Sequence, residues 1–177
     1  MTKIDNGAVA ASAHGIARSP HWPTVEKAFK ALHPNCIACS AELYGKVGIQ
    51  VHHAVVPFHI AILCGRPDLE LDPRNLVSLC ETEKDKPAPN HHIRVGHLGD
   101  FKSWNSNVVA DAKKYLGQPE ALIESNPDYI LEAKGKSDPK MAEQRDALKT
   151  MRTMLDSVLP ADPAILKKYG IVLTPFV

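Results

Sequence analysis

Apolar residues recur at helical spacing between Pro23 and His33, where Val25, Phe29 and Leu32 form one stripe and Pro34 stops the pattern. The pattern then changes period. From Val47 to Pro57 the chain alternates and is rich in β-branched residues, which predicts a strand ending near Pro57. Asp72-Pro-Arg-Asn75 is a turn signal, and Leu76 to Cys80 reads as a short strand after it. Glu81 to Pro89 is charged and proline-bearing, so an exposed loop is expected there. Asn90 to Val95 predicts a short helix. Asn105 to Leu116 predicts a clearer one, with Asn105 as its cap and Val108, Val109, Ala112, Tyr115 and Leu116 on its apolar face. Leu148, Met151, Leu155 and Val158 give Met141 to Leu159 an amphipathic helical stripe. Asp162-Pro163 through Gly170 carries the cap, first-turn proline and terminating glycine of a final helix.

Composition adds little to this picture, and charge adds a constraint. The 177 residues are 44% hydrophobic and 23% charged, ordinary for a globular chain. No run approaches the ~18 apolar residues of a membrane helix, and the start of the chain lacks the plan of a secretory signal. A cytoplasmic location is the expectation. Formal net charge is +1, and Ile16 to Gly117 holds 12 basic against 10 acidic residues. That is a weak footprint for a tight duplex binder, although bound cations would add local positive charge. Residues 1–17 are small and polar and read as a flexible lead-in.

The cysteines and histidines are distributed unevenly. Cys36 and Cys39 form a Cys-x-x-Cys knuckle after the first predicted helix, Cys80 ends the second strand, and Cys64 sits in an apolar run as a buried thiol. His52, His53, His59, His91, His92 and His97, six of the nine histidines, lie between and just after the cysteines. Adjacent residues on a strand point to opposite faces, so His52 and His53 can divide two tasks where a strand end or bulge lets both reach one site. Imidazole titrates near neutral pH, and can therefore take a proton from water or bind a cation. Alone, a His-His pair is more often surface or satisfied core, and Asn75 in a turn is usually only a turn former.

In order, Cys36-x-x-Cys39, Val51-His52-His53-Ala54, Pro57, Asp72-Pro-Arg-Asn75-Leu76, Leu79-Cys80 and Asn90-His91-His92 resemble the HNH endonuclease family, in the branch with a zinc knuckle built around a ββα metal motif. The resemblance covers roughly residues 18–116. It implies an α+β fold: a ββα-metal core stapled by zinc, with flanking helices and a helical C-terminal extension. The chain then divides into the lead-in at 1–17, a nuclease domain at 18–117 and the extension at 118–177. The resemblance further implies a phosphodiester hydrolase acting on nucleic acid, DNA in the first instance. In it His53 is the general base, His52 a ligand of the catalytic cation (Mg2+ or another divalent ion), Asn75 the brace of the loop carrying the base, and His92 the closing ligand.

The zinc pattern departs from the family. Cys80 is followed by Glu-Thr-Glu rather than by a second Cys-x-x-Cys. A tetrahedral zinc wants four ligands, so His91 is the candidate to join Cys36, Cys39 and Cys80, the alternative being an incomplete site. His97 is a candidate for the catalytic cation, and His59 for the cation or the phosphate; a polar residue near the site with no essential role is the other reading of each. Trp104 and Phe101 are candidates to stack bases or to fill the core, and Lys102, Lys113 and Lys114 to meet phosphates or face solvent. Two other functions remain open in the sequence: a catalytically degenerate, zinc-stabilised nucleic-acid-binding module, and a zinc-stapled interaction domain using the C-terminal helices as its partner surface.

Overall fold

The computed structural model describes residues 15–39, 48–81, 90–99, 103–115, 135–136, 145–173 and 175. Most of the expected lead-in, the loop after Glu81, Phe101 and Lys102 lie outside the described residues. The fold is α+β, with mixed helices and small sheets. Helix α1 (Trp22–Leu32) precedes strand β1 (Gly48–His53), helix α2 (Phe58–Leu63), two 3-10 turns (Pro67–Glu70 and Pro73–Asn75) and strand β2 (Leu76–Glu81). A π-helical turn (His92–Gly96) follows, then β3 (Ser103–Trp104), α3 (Val108–Tyr115), β4 (Gly135–Lys136), α4 (Arg145–Val158) and α5 (Pro163–Tyr169). Among the described residues no helix is long and apolar enough to cross a membrane.

The centre is the antiparallel pair β1–β2, in which Ile49 faces Cys80, Val51 faces Ser78, His52 faces Val77 and His53 faces Leu76. Alternation along each strand sorts these residues into two faces. One face presents Ile49, Val51 and His53 with Cys80, Ser78 and Leu76. The other presents Gln50 and His52 with Glu81, Leu79 and Val77. Trp22, Val25 and Phe29 of α1 bury against Val51 and Leu76, and Tyr169 and Ile171 close the edge of that cluster. Ser78 ties the knuckle segment to the strand, since its hydroxyl donates to the His33 carbonyl (2.6 Å) and its own carbonyl accepts from the Ile37 amide (3.0 Å). Leu32, expected on the buried stripe, is instead 77% exposed at the helix's last residue.

On the opposite face, Val77 and Leu79 share a cluster with Val95, Val108 and Ala112. The short helix expected from Asn90 is a π-helical turn, closed by the His97 amide donating to the His92 carbonyl at 3.1 Å. Asn90 starts it, its side-chain oxygen accepting from the Ile93 amide (3.3 Å). Past its end, Gly99 takes φ 81°, a left-handed conformation that costs glycine nothing, and its amide donates back to the Ile93 carbonyl at 2.8 Å. Asn105 stitches α3 to this turn. Its Nδ2 donates to the Val95 carbonyl (3.1 Å) and to Asp111 (2.8 Å), and its Oδ1 accepts from the Asn107 amide (2.8 Å). Val109, expected on the buried face of α3, is 40% exposed.

The C-terminal helices pack into the same body. Leu148 and Leu155 of α4, with Leu159, share a core with Val56, Ile60, Leu69 and Trp104; Val158, expected on the buried stripe, faces outward. Buried Arg66 fixes this contact, donating to both Asp68 oxygens (2.9 and 2.7 Å), to Asp156 (2.7 Å) and to the Leu159 carbonyl (2.8 Å). Helix α5 has the ends its sequence announces, with Asp162 accepting from the Ala164 amide and Gly170 left-handed at φ 63°.

Candidate metal centres

Cys36, Cys39, Cys80 and His91 converge into one cluster whose ligand atoms all lie within 4.8 Å of one another. Cys80 Sγ is 3.2 Å from His91 Nδ1, Cys36 Sγ is 3.7 Å from the same nitrogen, and Cys39 Sγ is 3.9 Å from Cys80 Sγ. Tetrahedral zinc with thiolate and imidazole ligands has edges of about 3.5–3.8 Å, so the donors stand close to the spacing the ion requires. Three of the four are buried, with Cys80 fully buried, Cys36 1% and His91 4% exposed, and Cys39 is half-buried. The Ala38 amide lies 3.4 Å from Cys36 Sγ, where it can support a thiolate. Hydrogen bonds from the Cys39 and Cys80 thiols hold Cys36 far below the usual thiol range, and the same contacts push Cys80 up. Burial disfavours a charged His91, but its contacts with Cys36 and Cys39 outweigh burial and raise it to about 9. These four residues can hold a metal ion such as zinc.

A second cluster lies on the other face of the sheet. His52, His92 and His97 bring their ring nitrogens within 4.8 Å of one another. Ring centroids are 4.8 Å apart for His52–His97 and His92–His97 and 5.5 Å for His52–His92, with interplanar angles of 88°, 81° and 76°. The three rings meet at near-perpendicular angles with their nitrogens grouped, so the cluster can hold a metal ion. The π-helical turn makes it possible. Residues five apart diverge on an α-helix, whereas the i to i+5 hydrogen bond of a π turn brings His92 and His97 back into register. Gly96 lets the ring of His52 in close, since a Cβ there would stand 3.0 Å from its Cε1 and Nδ1. His52 is 5% exposed, and its Nε2 is buried with no hydrogen-bond partner among the described residues. Burial, then the neighbouring His97, His92 and His53, hold its pKa well below the usual imidazole value. The neutral ring is the ligating form. Outside the cluster, His97 Nδ1 donates to the Ser103 carbonyl (2.8 Å), and Glu81 Oε2 lies 3.2 Å from His92 Nδ1. The contact with His92 holds the Glu81 carboxyl below its ordinary range.

His53 lies across the strand from this cluster. Its ring stacks on Trp22 with centroids 5.0 Å apart at 25°, and its Nε2 is 3.3 Å from the Glu70 carbonyl. A carbonyl only accepts, so Nε2 carries the proton and Nδ1 the lone pair. Burial first, then the Arg18 charge, lowers the His53 pKa to about 3 despite that hydrogen bond. Arg18 sits between the Trp22 and Phe58 rings, 4.3 Å from each centroid, and 3.7 Å from buried Glu70. Glu70 Oε2 also accepts from the Ser19 amide (3.0 Å). Asn75 is fully buried and uses every polar valence of its side chain. Oδ1 accepts from the Val55 and Val56 amides (2.8 and 3.2 Å), and Nδ2 donates to the Val56 and Leu69 carbonyls (2.9 Å each). It thereby braces the segment that leaves His53.

Of the other named residues, His59 is buried on α2 beside Phe58, outside both clusters. Trp104 fills the core beneath α4 and is not available to stack a base. Lys113 and Lys114 are on the exposed side of α3. Cys64 is buried, and burial pushes its thiol up to about 11. Arg18, Trp22, Glu70 and Glu81 escaped the sequence reading. Their partners are 4 to 52 positions away in the chain and leave no local spacing; a charged residue beside aromatics next to the predicted site was the only available signal. No family model, curated protein or solved structure matches the chain significantly.

Proposed function

We propose that the chain is a metal-dependent endonuclease of the HNH type, hydrolysing phosphodiester bonds in nucleic acid, DNA in the first instance. In this reading β1, β2 and the π-helical turn are the ββα-metal core, and Cys36, Cys39, Cys80 and His91 are its structural zinc knuckle. The observation that carries the proposal is the division of labour on β1: His52 belongs to an open three-imidazole cluster, while its neighbour His53 is neutral, buried and oriented by the Glu70 carbonyl. Asn75 supports it, because three hydrogen bonds to the segment after His53, with a fourth to the Leu69 carbonyl, hold that ring relative to the cluster.

His52, His92 and His97 would hold a divalent cation, which would supply positive charge for the scissile phosphate and the leaving oxygen. The chain's own part is to move the proton. His53 is the last residue of β1, and at that strand end a phosphate can meet both the cation and His53 Nδ1, the acceptor for a water proton; Nε2–H stays engaged with the Glu70 carbonyl, which steadies the imidazolium that forms. A base with a lowered pKa is fully in its acceptor form at neutral pH. An incoming phosphate offsets the Arg18 charge and so raises its basicity. The near-neutral charge of the chain speaks against the alternative of a pure nucleic-acid-binding module, which also has no use for a buried, oriented histidine. Purified protein incubated with supercoiled plasmid should nick or linearise it when Mg2+, Mn2+ or Ni2+ is supplied, and stop in excess EDTA. His53→Ala should slow cleavage about 10²–10⁴-fold with zinc content unchanged. Cleavage at the parent's rate by that variant, or indifference to EDTA, would overturn the reading.

A further inference from the structure

We infer that Glu81 is a positioning residue that sets the three-histidine cluster to take a late first-row transition cation in preference to Mg2+. The inference rests on reading His52, His92 and His97 as a cation site, and it deepens that reading by naming the class of ion. The donors on offer are imidazole nitrogens alone among the grouped residues. Mg2+ keeps oxygen ligands and most of its water, whereas imidazole suits zinc, nickel, cobalt and copper ions.

What turns three histidines into a fixed site is control of their outer edges. His97 is held from behind, its Nδ1 on the Ser103 carbonyl at 2.8 Å. The ring of His52 is held by Gly96, which leaves no room for a side-chain atom between them, and its Nε2 is buried without a partner. For His92 the corresponding group is the Glu81 carboxylate, 3.2 Å from Nδ1. Glu81 can reach it because β2 alternates: Cys80 faces the knuckle, and Glu81 turns to the face of His52. A carboxylate this close to Nδ1 favours the proton on that nitrogen, which leaves the lone pair on Nε2 and makes the ring a stronger donor. The residue where a second Cys-x-x-Cys would have continued therefore serves the other metal centre.

The test is Co2+ binding by calorimetry and visible absorption, on full-length protein carrying one equivalent of zinc in the cysteine site and with no nucleic acid present. The parent should take up one further equivalent with a nitrogen-ligated spectrum lacking the sulfur charge-transfer band, and millimolar Mg2+ should not displace it. Glu81→Ala should weaken this binding about 10–100-fold, and Glu81→Gln, whose amide oxygen still accepts from Nδ1–H, should recover much of the loss. Displacement of Co2+ by Mg2+ in the parent, or unchanged affinity in Glu81→Ala, would overturn the inference. Should Glu81→Ala fail to fold, the Mg2+ competition on the parent and the Glu81→Gln titration decide it. Cobalt binding with uncut plasmid would sink the nuclease reading alone; cleavage with Mg2+ displacing cobalt would sink this inference alone.

Discussion

The two clusters are built from neighbouring residues and could hardly differ more. The knuckle has four donors, three of them sulfur and three of the four buried; the cluster across the sheet has three imidazoles, two of them only half-buried. Four soft donors close a tetrahedron and leave no position for a reactant, whereas three leave the coordination open. Three sequence-adjacent pairs are split between the two sides. Cys80 goes to the knuckle and Glu81 to the histidines; His91 to the knuckle and His92 to the histidines. His52 joins the cluster, while His53 turns to the face of Cys80 and finds Trp22 and Glu70. Alternation on two strands and the rotation of about 100° between successive helical residues are enough to build two unlike centres from one small sheet. The general lesson is that the chemistry of such a fold is set by parity, since a one-residue slip in either strand would exchange the donors of the two sites.

The largest effect should come from breaking the parity at His91 and His92. A structural zinc contributes folding free energy, on the order of 10 kcal/mol in zinc-finger peptides, and an open site far less. His91→Ala should lower zinc stoichiometry and the melting temperature sharply, with any activity falling as a consequence. His92→Ala should leave both nearly unchanged and abolish cleavage. Zinc content by atomic absorption and a thermal melt on each variant decide the matter. Zinc lost with His92 and kept without His91 would mean that the two centres are assigned the wrong way round.

How far this was legible in the sequence differs between the two centres. Cys36-x-x-Cys39 announces itself locally, and Cys80 and His91 follow as the candidates that complete four ligands, whereas His52, Asn75 and His92 were named only through the resemblance to a known family. Helix α5 was equally plain, with its cap, proline and glycine all local signals. The environment of His53 was not. Arg18 lies at the edge of what reads as a polar lead-in, yet it is held by Trp22, Phe58 and Glu70. Helix α2 was missed because a short apolar run has no period to distinguish it. The Arg66–Asp156 contact spans 90 positions, and nothing near either residue predicts it. The C-terminal segment accordingly reads as an extension in sequence but shares a core with Ile60 and Leu69 in the structure.

A smaller effect should separate the brace from the metal. Asn75→Ala strips partners from two amides and two carbonyls in a fully buried position. Unsatisfied buried groups cost about 1–3 kcal/mol each, and partial relaxation should leave a net loss of about 3 kcal/mol in urea unfolding. Zinc stoichiometry should not change, because Asn75 touches neither donor set. Asn75→Asp keeps the acceptor and loses the donor, and should fall between the two. A variant that unfolds at the parent's midpoint would show that the brace contributes nothing, and one that loses zinc would show that the two faces are mechanically coupled.

The smallest and most diagnostic effect is a slope. His53 is 5% exposed, and its pKa in the folded chain is lowered to about 3, by burial first and the Arg18 charge second, from an unfolded value near 6.5. Between those two values the unfolded chain binds a proton that the native chain refuses. Its contribution to stability is therefore complete above pH 6.5 and is lost as the pH falls toward 3. The loss approaches about 1.4 kcal/mol per pH unit once the unfolded histidine is fully protonated. Other groups titrate in the same range, so the comparison is between the parent and His53→Phe, which keeps an aromatic ring against Trp22 and removes the titration. Urea unfolding at intervals from pH 7 to about 5, above the range in which carboxylates protonate, should give a parent stability that falls more steeply with acid than that of the variant. His53→Phe will begin less stable, because the Glu70 carbonyl loses its donor, and only the difference in slope is informative. Parallel lines would mean that His53 titrates normally in the folded chain, and the neutral, oriented base inferred for the far side of the strand would fall with that result.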